Sequence, residues 1–231
     1  MIAPLHLAGE RLGLSPSGVV LWPARRTLIV ADLHLEKGSA FAARGSPLPP
    51  YDSRETIRRL SLVLRRYDPA RLILLGDSFH DRGGPARLPA EERAALLRLL
   101  AGREVVWILG NHDPAPPEGL PGVAAAALAE GPLRFVHIAD PAAAAGEISG
   151  HYHPKATVPT RAGPITRPAF LTDSRRLILP AFGAYAGGLD ATDPALARLF
   201  PRGGQAFLIG TERLFSLPLS AGRRRAPHPA A

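Results

Sequence analysis

The stretch "REVVWILGNHD", residues 103–113, is a bulky apolar run that ends abruptly in Asn111, His112 and Asp113. Glycine, asparagine and aspartate are common in turns that follow strands, so a plain turn explains most of this ending. A turn does not explain His112. The interpretation therefore depends on whether other apolar runs of the chain end in the same way.

Two earlier segments repeat this pattern. "RTLIVADLH" (26–34) and "ARLILLGDSFHD" (70–81) are also short apolar runs that end in polar residues. Helical periodicity fills the intervals, over residues 51–69 and 88–102. Asp52 and Glu55 have capping-box spacing, which predicts that Asp52 caps the first helix, and Pro89 marks the start of the second. The alternation of strand and helix predicts a parallel sheet with crossover helices.

The second half of the chain has a different pattern, with short strands and tight connections. These strands are predicted over residues 133–140, 146–153, 167–173, 175–183, 205–210 and 213–219. One short helix is expected near residues 192–200, with Asp193 as its cap and Pro194 at its first position. The whole pattern predicts an α/β fold of four layers, α/β/β/α, in which two mixed sheets pack together between flanking helices. We expect one domain over residues 1–231, with a flexible tail from about residue 220.

Composition excludes several classes of protein. The 231 residues contain no cysteine, which rules out disulfides, thiolate metal sites and a cysteine nucleophile, and fits a cytoplasmic location. The first residues do not have the pattern of a signal peptide, and the run "GVAAAALA" is too short to cross a bilayer, so no membrane association is expected. The net charge of +8 suits a phosphate-rich partner, although a GC-rich coding sequence would also enrich arginine. Arg223–Arg225 form a basic cluster in the tail.

Polar clusters follow each predicted strand, where the sites of open α/β sheets form. They are Asp32 and His34; Asp77, His80 and Asp81; Asn111, His112 and Asp113; His137; and His151 and His153. Taken singly, each cluster is typical of a turn or of a structural histidine pair. Together, and in this order, they predict a site for divalent metal ions, because carboxylate, imidazole and amide ligands suit manganese, iron or zinc.

These motifs resemble those of the calcineurin-like metallophosphoesterase superfamily. The resemblance covers residues 27–154 and consists of D-x-H (Asp32, His34), G-D-x-x-x-D (Gly76 to Asp81), G-N-H-D (Gly110 to Asp113), a lone His137, and G-H-x-H (Gly150 to His153). One departure is visible, because the second motif of the superfamily has two residues between its acids and this chain has three. The departure leaves the role of Asp81 open.

A closer resemblance extends over about residues 18–217. "LIVADLHLEKG", "LGDSFHD", "SGHYHP" and "LPAFGAYAGGLD" are similar to segments of the bacterial ligase-associated DNA damage response endonucleases. The loop from Phe182 to Asp190 is the part least shared with other branches of the superfamily. This resemblance implies a role in DNA repair, and a functional association with a DNA ligase and a helicase.

The superfamily resemblance also implies two metal ions, with Mn²⁺ expected and iron or zinc as alternatives. Asp32, His34 and His153 would hold the first ion, and Asn111, His137 and His151 would hold the second. Asp77 would bridge them. Two divalent charges about 3.5–4 Å apart are a standard arrangement for in-line displacement at phosphorus.

His112 is then left to act on the leaving group. Asp113 would orient the imidazole of His112, or would instead cap the following turn. His80 would donate a hydrogen bond near the metals or lie on the surface. Lys37 and Arg44 would contact a substrate phosphate or remain solvated.

Gly183, Gly187 and Gly188 would let the backbone approach either the substrate or a neighbouring strand.

Three functions compete. The first is a metal-dependent phosphodiesterase or endonuclease that hydrolyses DNA, with a single strand as the preferred substrate. The second is a phosphoesterase for a small nucleotide or a cyclic nucleotide, which a narrow pocket with few basic residues would favour. The third is a scaffold without activity, which is disfavoured because every expected ligand position is filled.

Overall fold

A computed structural model describes residues 1–221. The predicted tail beyond residue 221, including Arg223–Arg225, lies outside the described residues. The first sheet has seven strands in chain order. They are β1 (Ala3–Leu7), β2 (Glu10–Leu14), β3 (Val20–Trp22), β4 (Thr27–Val30), β5 (Arg71–Leu75), β6 (Glu104–Ile108) and β7 (Val123–Ala125). Strands β1 to β4 pair antiparallel and β4 to β7 pair parallel, so this sheet is mixed.

The second sheet is formed by the rest of the described chain. Its strands are β8 (Ala127–Glu130), β9 (Leu133–Val136), β10 (Glu147–Ser149), β11 (Lys155–Val158), β12 (Ile165–Thr172), β13 (Arg176–Ile178), β14 (Gly204–Ile209) and β15 (Leu214–Leu219). Their order is β15-β14-β12-β13-β10-β9-β8, and β11 pairs with β12. Since β10 pairs parallel with β9 and β13 while the other pairs are antiparallel, the prediction of two mixed sheets is confirmed.

The helices lie between or after the strands. They are α1 (Lys37–Ala42), α2 (Asp52–Tyr67), α3 (Gly84–Arg87), α4 (Ala90–Leu100) and α5 (Pro194–Ala197), and residues Pro23–Arg25 form a 3-10 turn. The two long helices confirm the periodicity of residues 51–69 and 88–102. The start of α5 is also confirmed, because the Asp193 carboxylate accepts a hydrogen bond from the Ala195 amide at 2.8 Å and Pro194 is the first helical residue.

The predicted cap of α2 is wrong. Asp52 is the first residue of the helix rather than its cap, and its side chain makes no capping hydrogen bond. The buried carboxylate instead accepts a hydrogen bond from the Gly38 amide at 3.0 Å. Glu55, the other half of the predicted box, pairs with Arg58. Asp52 therefore ties α1 to α2, a long-range contact that helix-start statistics do not contain.

Side-chain alternation explains the layers. Along β4, Leu28 and Val30 pack into the core beneath α2 and α4, whereas Ile29 points into the core between the two sheets. Successive residues of a strand face opposite sides of the sheet, so a strand buried on both faces has an uninterrupted apolar sequence. A third core covers the outer face of the second sheet, where Leu196 and Phe200 pack from the α5 region. The predicted α/β/β/α order is confirmed.

Six strands were not expected from the sequence, namely β1, β2, β3, β7, β8 and β11. Strands β7 and β8 lie in the alanine-rich segment 123–130, which has little intrinsic strand preference and is fixed by pairing with β6 and β9. Among residues 1–221, no helix has both the length and the apolar composition that crossing a membrane requires.

Candidate metal centre

The carboxyl ends of strands from both sheets meet at one edge of the molecule. Backbone hydrogen bonds join the loop after β4 to the loop after β5, where the His34 amide donates to the Asp77 carbonyl at 2.9 Å. In the second sheet, the Gly150 amide donates to the His137 carbonyl at 3.1 Å, which aligns the segments after β9 and β10. The polar ends of five strands are therefore fixed in one cluster.

Two groups of side chains in this cluster could each hold a metal ion. Asp32, His34 and His153 form the first, and Asp77, His137 and His151 form the second, with the ligand atoms of each group all within 4.8 Å of one another. Asn111 belongs with the second group, because its Oδ1 atom lies 2.9 Å from Nε2 of His137. The seven residues predicted as ligands are thus brought together.

The carboxylate of Asp77 lies between the two groups. Its Oδ2 atom is 3.8 Å from Nε2 of His34 in the first group and 3.3 Å from Nε2 of His137 in the second. Its Oδ1 atom accepts a hydrogen bond from the His112 amide at 2.9 Å, which fixes the orientation of the carboxylate. One oxygen of Asp77 therefore faces both groups.

The donor atoms fit divalent metal ions. Nε2 of His34 lies 3.1 Å from Nε2 of His153, and Nδ1 of His151 lies 3.2 Å from Nε2 of His137. Two nitrogens bound to one ion at about 2.1 Å are separated by about 3.0–3.4 Å, so these are the distances expected between ligands of a shared ion. Lone pairs at such distances repel unless a proton or a cation lies between them. The chemistry of the cluster thus suits two cations.

Burial and the closeness of the ligand side chains also shift the pKa values of several residues in the cluster. Burial, with a further contribution from His153, lowers the pKa of His34 to about 3, and burial also lowers the pKa of His151. Burial opposes ionisation of Asp77, yet the hydrogen bond and charge of His137 lower the pKa of Asp77 to about 2. His34 and His151 are therefore held as neutral imidazoles beside an ionised Asp77, the forms that ligate metals.

His137 is held by its backbone contact. Its Nδ1 atom donates to the Leu75 carbonyl at 2.9 Å, which leaves Nε2 facing Asp77 and Asn111. Burial lowers the pKa of His137, but the hydrogen bond that its ring donates to Asp77 and the charge of Asp32 outweigh this effect, and the net pKa is raised. The ring is thus oriented for ligation through Nε2 before any ion binds.

The glycines of the three G-D, G-N and G-H pairs make room for this convergence. A Cβ atom on Gly76 would overlap the His137 ring, and one on Gly110 would overlap Asp77. A Cβ on Gly150 would lie 2.6 Å from Oδ2 of Asp32. Each glycine therefore lies against a side chain of the cluster that belongs to another motif.

The ligand residues themselves adopt an unusual backbone conformation. Nine non-glycine residues among those described have positive φ, and five of them are predicted ligands: Asp32, His34, Asp77, His151 and His153. This conformation costs on the order of 1 kcal/mol for a residue with a side chain. Strain of this kind accumulates at functional sites, where the surrounding hydrogen bonds enforce it.

His112 lies at the open side of the cluster. Its side chain is 40% exposed, and Nε2 is 4.0 Å from Oδ2 of Asp77. Nδ1 lies 2.8 Å from the backbone carbonyl of His80, and the two rings stack with centroids 5.0 Å apart. The ring is fixed with Nε2 towards the ligand groups and the solvent.

His80 is buried rather than on the surface. Its Nδ1 atom is 3.4 Å from Nδ1 of His34, and burial together with the charge of His112 lowers the pKa of His80 to about 4. His80 therefore supports the rings of two other histidines of the cluster.

Asp113 does not orient His112 as the sequence predicted. Its Oδ1 atom accepts hydrogen bonds from the amides of Asp77 and Gly110, at 2.9 and 3.1 Å, and its Oδ2 atom accepts from those of Ser78 and Phe79, at 2.7 and 3.1 Å. Burial outweighs these bonds and raises the pKa of Asp113 to about 6. The carboxylate joins the loops after β5 and β6. The His80 carbonyl, and not Asp113, orients the His112 ring.

The remaining candidates surround the cluster. Nζ of Lys37 donates to the Tyr185 carbonyl at 2.9 Å, and burial lowers the pKa of this lysine. Arg44 is exposed in the turn after α1. Asp81 pairs with Arg87 at 2.8 Å and accepts from the Gly83 amide, so its carboxylate is used outside both metal groups.

Glu36 was not expected to support the site. It is buried, and its Oε1 atom accepts a hydrogen bond from the Ser53 hydroxyl at 2.7 Å, which holds the loop after β4 against α2. A signal was present in the sequence, because Asp32, His34 and Glu36 alternate in a D-x-H-x-E pattern. In the structure all three have positive φ.

The glycine-rich loop approaches the protein backbone. A Cβ on Gly183 would overlap the Leu33 carbonyl, and one on Gly188 would overlap the His153 carbonyl. The Gly183 amide also donates to the Asp32 carbonyl at 3.0 Å. The sequence left open whether these glycines admit the substrate or a neighbouring strand. Gly183 and Gly188 allow close contact with the protein's own backbone. Gly187 has open space around it.

The chain belongs to the calcineurin-like phosphoesterase family, whose model matches residues 25–179. This span contains both ligand groups, Asn111 and His112. The family uses a dinuclear metal centre, and the protein is a metal-dependent hydrolase that acts on phosphoester bonds.

Among solved structures, the chain is similar to the nuclease MPE of Pseudomonas putida. The two are 29% identical, with a TM-score of 0.71, and the similarity covers 93% of this chain and 100% of that chain. A comparison with curated proteins finds no match. The structural similarity therefore extends well beyond residues 25–179.

Asp113→Asn should destabilise the fold by about 2–6 kcal/mol. Each carboxylate oxygen of Asp113 accepts two backbone N–H groups, so the side-chain NH2 of asparagine would leave two of these donors unpaired whichever oxygen it replaces. Each unpaired buried donor costs about 1–3 kcal/mol. Urea unfolding of the wild type and the variant measures the difference.

Asp173→Asn is the matched control, because one oxygen of Asp173 accepts both of its backbone hydrogen bonds and asparagine keeps that oxygen. Equal stability of the Asp113 and Asp173 variants would contradict the role assigned to Asp113.

Proposed function

We propose that this protein is a dinuclear-metal-dependent phosphodiesterase that cleaves DNA, with a single strand as its preferred substrate. The observation that carries the proposal is the position of Asp77, whose Oδ2 atom faces imidazoles of both metal groups. The similarity over 93% of the chain to a protein named as a nuclease supports a nucleic acid as substrate. The net charge of +8 supports a polyanion as well.

The proposed ligand sets follow the two groups. Asp32, His34 and His153 would hold one ion, Asn111, His137 and His151 would hold the other, and the Asp77 carboxylate would be shared by both. Mn²⁺ is the proposed metal, because oxygen and imidazole ligands in nearly equal number suit it. When bound, two such ions supply positive charge to the phosphoryl group and lower the pKa of the attacking water.

His112 provides the proton for the leaving oxygen in this proposal. The His80 carbonyl holds its Nδ1 atom, so Nε2 is the atom that faces a phosphodiester placed over the cluster. A hydrogen bond from the ring to the departing oxygen stabilises the charge that develops there, and transfer of the proton completes bond cleavage. Asp113 acts indirectly, since it holds the loop that carries His112.

Basic residues around the cluster bind the flanking strand. Arg44 is free to meet a phosphate, and the Lys37 ammonium has donors left beside its bond to Tyr185. His80 lies below them and contributes through His34 and His112. These contacts reach the sugar-phosphate backbone and not the bases, so cleavage is expected to show little sequence preference.

A role in DNA repair belongs to the same proposal. It rests on the similarity of the motifs and of the 179–190 segment to ligase-associated repair endonucleases, and it includes a functional association with a DNA ligase and a helicase. A cytoplasmic location fits the absence of cysteine.

Asp77→Ala should lose both metal ions, because the bridging oxygen serves both groups. The measurement is elemental analysis of manganese-loaded protein, with two ions per chain expected in the wild type. Asp81→Asn is the control from the same motif, since Asp81 pairs with Arg87 outside the cluster. A wild type that binds at most one ion, or an Asp77 variant that keeps two, would refute the bridge.

His112→Ala should keep both ions and lose rate by a factor on the order of 10²–10⁴ on a DNA phosphodiester, as expected for a lost general acid. The loss should be much smaller for a nitrophenyl ester, whose leaving group needs little protonation. Parallel kcat measurements on the two substrates test this. The same loss on both would count against proton donation by His112.

The substrate is tested by manganese-supported cleavage of an unstructured DNA oligonucleotide. Wild-type protein should cut it at several positions, and duplex DNA more slowly, since a flexible strand reaches the recessed cluster more easily. The Asp77→Ala protein controls for contaminating nuclease.

RNA and cyclic nucleotides complete the substrate panel. If the oligonucleotide stays intact while a cyclic nucleotide is hydrolysed rapidly, the protein is a small-molecule phosphoesterase and the nuclease proposal is wrong.

A further inference from the structure

A polar cavity adjoins the metal centre. It has a volume of about 320 Å³ and shares His153 with the first metal group. Arg59 of α2 and Lys155 of β11 line it, together with Thr166 of β12 and the segment 181–187 of the glycine-rich loop. No sequence motif singled out Arg59 or Lys155, because only the packing of α2 against this loop brings them together.

Within residues 1–221, no carboxylate forms an ion pair with the positive charge of Arg59. Its guanidinium lies over the Phe182 ring at 4.7 Å, which fixes the side chain. Burial lowers its pKa, and Glu55 is the acidic residue that counteracts this effect. Both oxygens of Glu55 are already occupied by Arg58, at 2.7 and 2.8 Å. The donors of Arg59 therefore remain available to a ligand in the cavity.

Lys155 supplies a second cation to the lining of this cavity. It is one of only two lysines in the chain, and its side chain packs beside Gly188, where a Cβ would lie 3.0 Å from Cε of the lysine. The neighbouring acid is Asp190, which pairs with Lys155 through the backbone. The Asp190 carboxylate accepts hydrogen bonds from Thr157 and Thr192 instead. Two cations thus face one cavity, and the acids near them have other partners.

We propose that this cavity binds the backbone phosphate adjacent to the scissile one, so that Arg59 and Lys155 position a polynucleotide across the metal centre. This inference rests on the proposed nuclease function. A guanidinium and an ammonium suit a phosphate, the first as a planar donor and the second as a compact charge. Phosphates recur along a strand, so a strand with one phosphate at the metals presents another beside His153.

The size of the cavity favours a single strand. About 320 Å³ is at the lower end of the range of about 300–1,000 Å³ for small-ligand sites, enough for a phosphate with part of its sugar. A phosphate on a flexible single strand can enter such a cavity more readily than a phosphate held in a stiff duplex. The cavity therefore gives a structural reason for the preference for a single strand.

The first test removes charge. Arg59→Met and Lys155→Met keep the aliphatic packing, and each should raise KM for the oligonucleotide about 10-fold, as expected for a lost charged hydrogen bond. KM for bis(4-nitrophenyl) phosphate, which has no second phosphate, should change by a much smaller factor. Arg59→Lys should recover most of the loss. Arg65→Met is the matched control, because it removes one exposed charge from the same helix outside the cavity and leaves the Arg58–Glu55 pair intact.

Binding is measured separately from activity. In the Asp77→Ala background the strand stays intact, and fluorescence anisotropy over a range of salt concentrations gives the dependence of Kd on salt. Loss of one phosphate contact should reduce the slope of log K against log salt by about 0.7 for a single strand. The Arg59→Met/Lys155→Met double variant should show this reduction and Arg65→Met should not.

A second variant fills the cavity without removing charge. A Cβ at Gly187 would meet nothing within 4 Å and φ there is outside the left-handed region, so Gly187→Phe should fold and occupy the space. It should also raise KM for the oligonucleotide selectively.

The outcomes separate the two proposals. If the wild type fails to cut DNA, the proposed function is wrong. If it cuts DNA while the Arg59, Lys155 and Gly187 variants change oligonucleotide KM no more than Arg65→Met, or change KM for both substrates equally, the phosphate site is wrong and the nuclease proposal stands.

Discussion

Mutual repulsion among ligand atoms is the constraint on which the site depends. Two pairs of imidazole nitrogens lie 3.1 and 3.2 Å apart, and an oxygen of Asp77 lies 3.3 Å from one of them. Electron-rich atoms so close together are unfavourable without positive charge between them. The fold holds them there through hydrogen bonds that do not involve the ligand atoms themselves, such as the bond from Nδ1 of His137 to the Leu75 carbonyl. The cluster is thus arranged in advance for two cations.

Holding the ligand atoms in this arrangement requires strained backbone conformations at several ligand residues. Asp32, Asp77 and His151 have φ values of 55°, 46° and 72°, in the region that residues with side chains usually avoid. Hydrogen bonds hold these residues in place: the Asp113 carboxylate accepts four from the loops after β5 and β6, and the Asp32 carboxylate accepts one from the His151 amide. The same geometry requires glycine at position 76, where any side chain would overlap His137. The positions of the motif glycines, the positive φ values and the close approach of the ligand atoms therefore depend on one another.

The sequence predicted the residues of the site better than their partners. Asp32, Asp77 and Asn111 were recognisable because apolar strands end at them, and strand ends meet in space. The partners of Asp113 and Asp52 were not predictable, since they are backbone amides brought close only by tertiary packing. For the same reason Arg59 reads as an ordinary helix residue, although it faces the cavity beside His153. Likewise, the alanine-rich strands β7 and β8 depend on their neighbours and not on local preference.

The central claim is that two cations occupy the cluster and share Asp77. Anomalous diffraction from crystals of the manganese-loaded protein tests this most directly. We expect two peaks about 3.5–4 Å apart, one bounded by Asp32, His34 and His153 and the other by Asn111, His137 and His151, with the Asp77 carboxylate between them. A single peak, or two peaks with Asp77 bound to only one of them, would contradict the account.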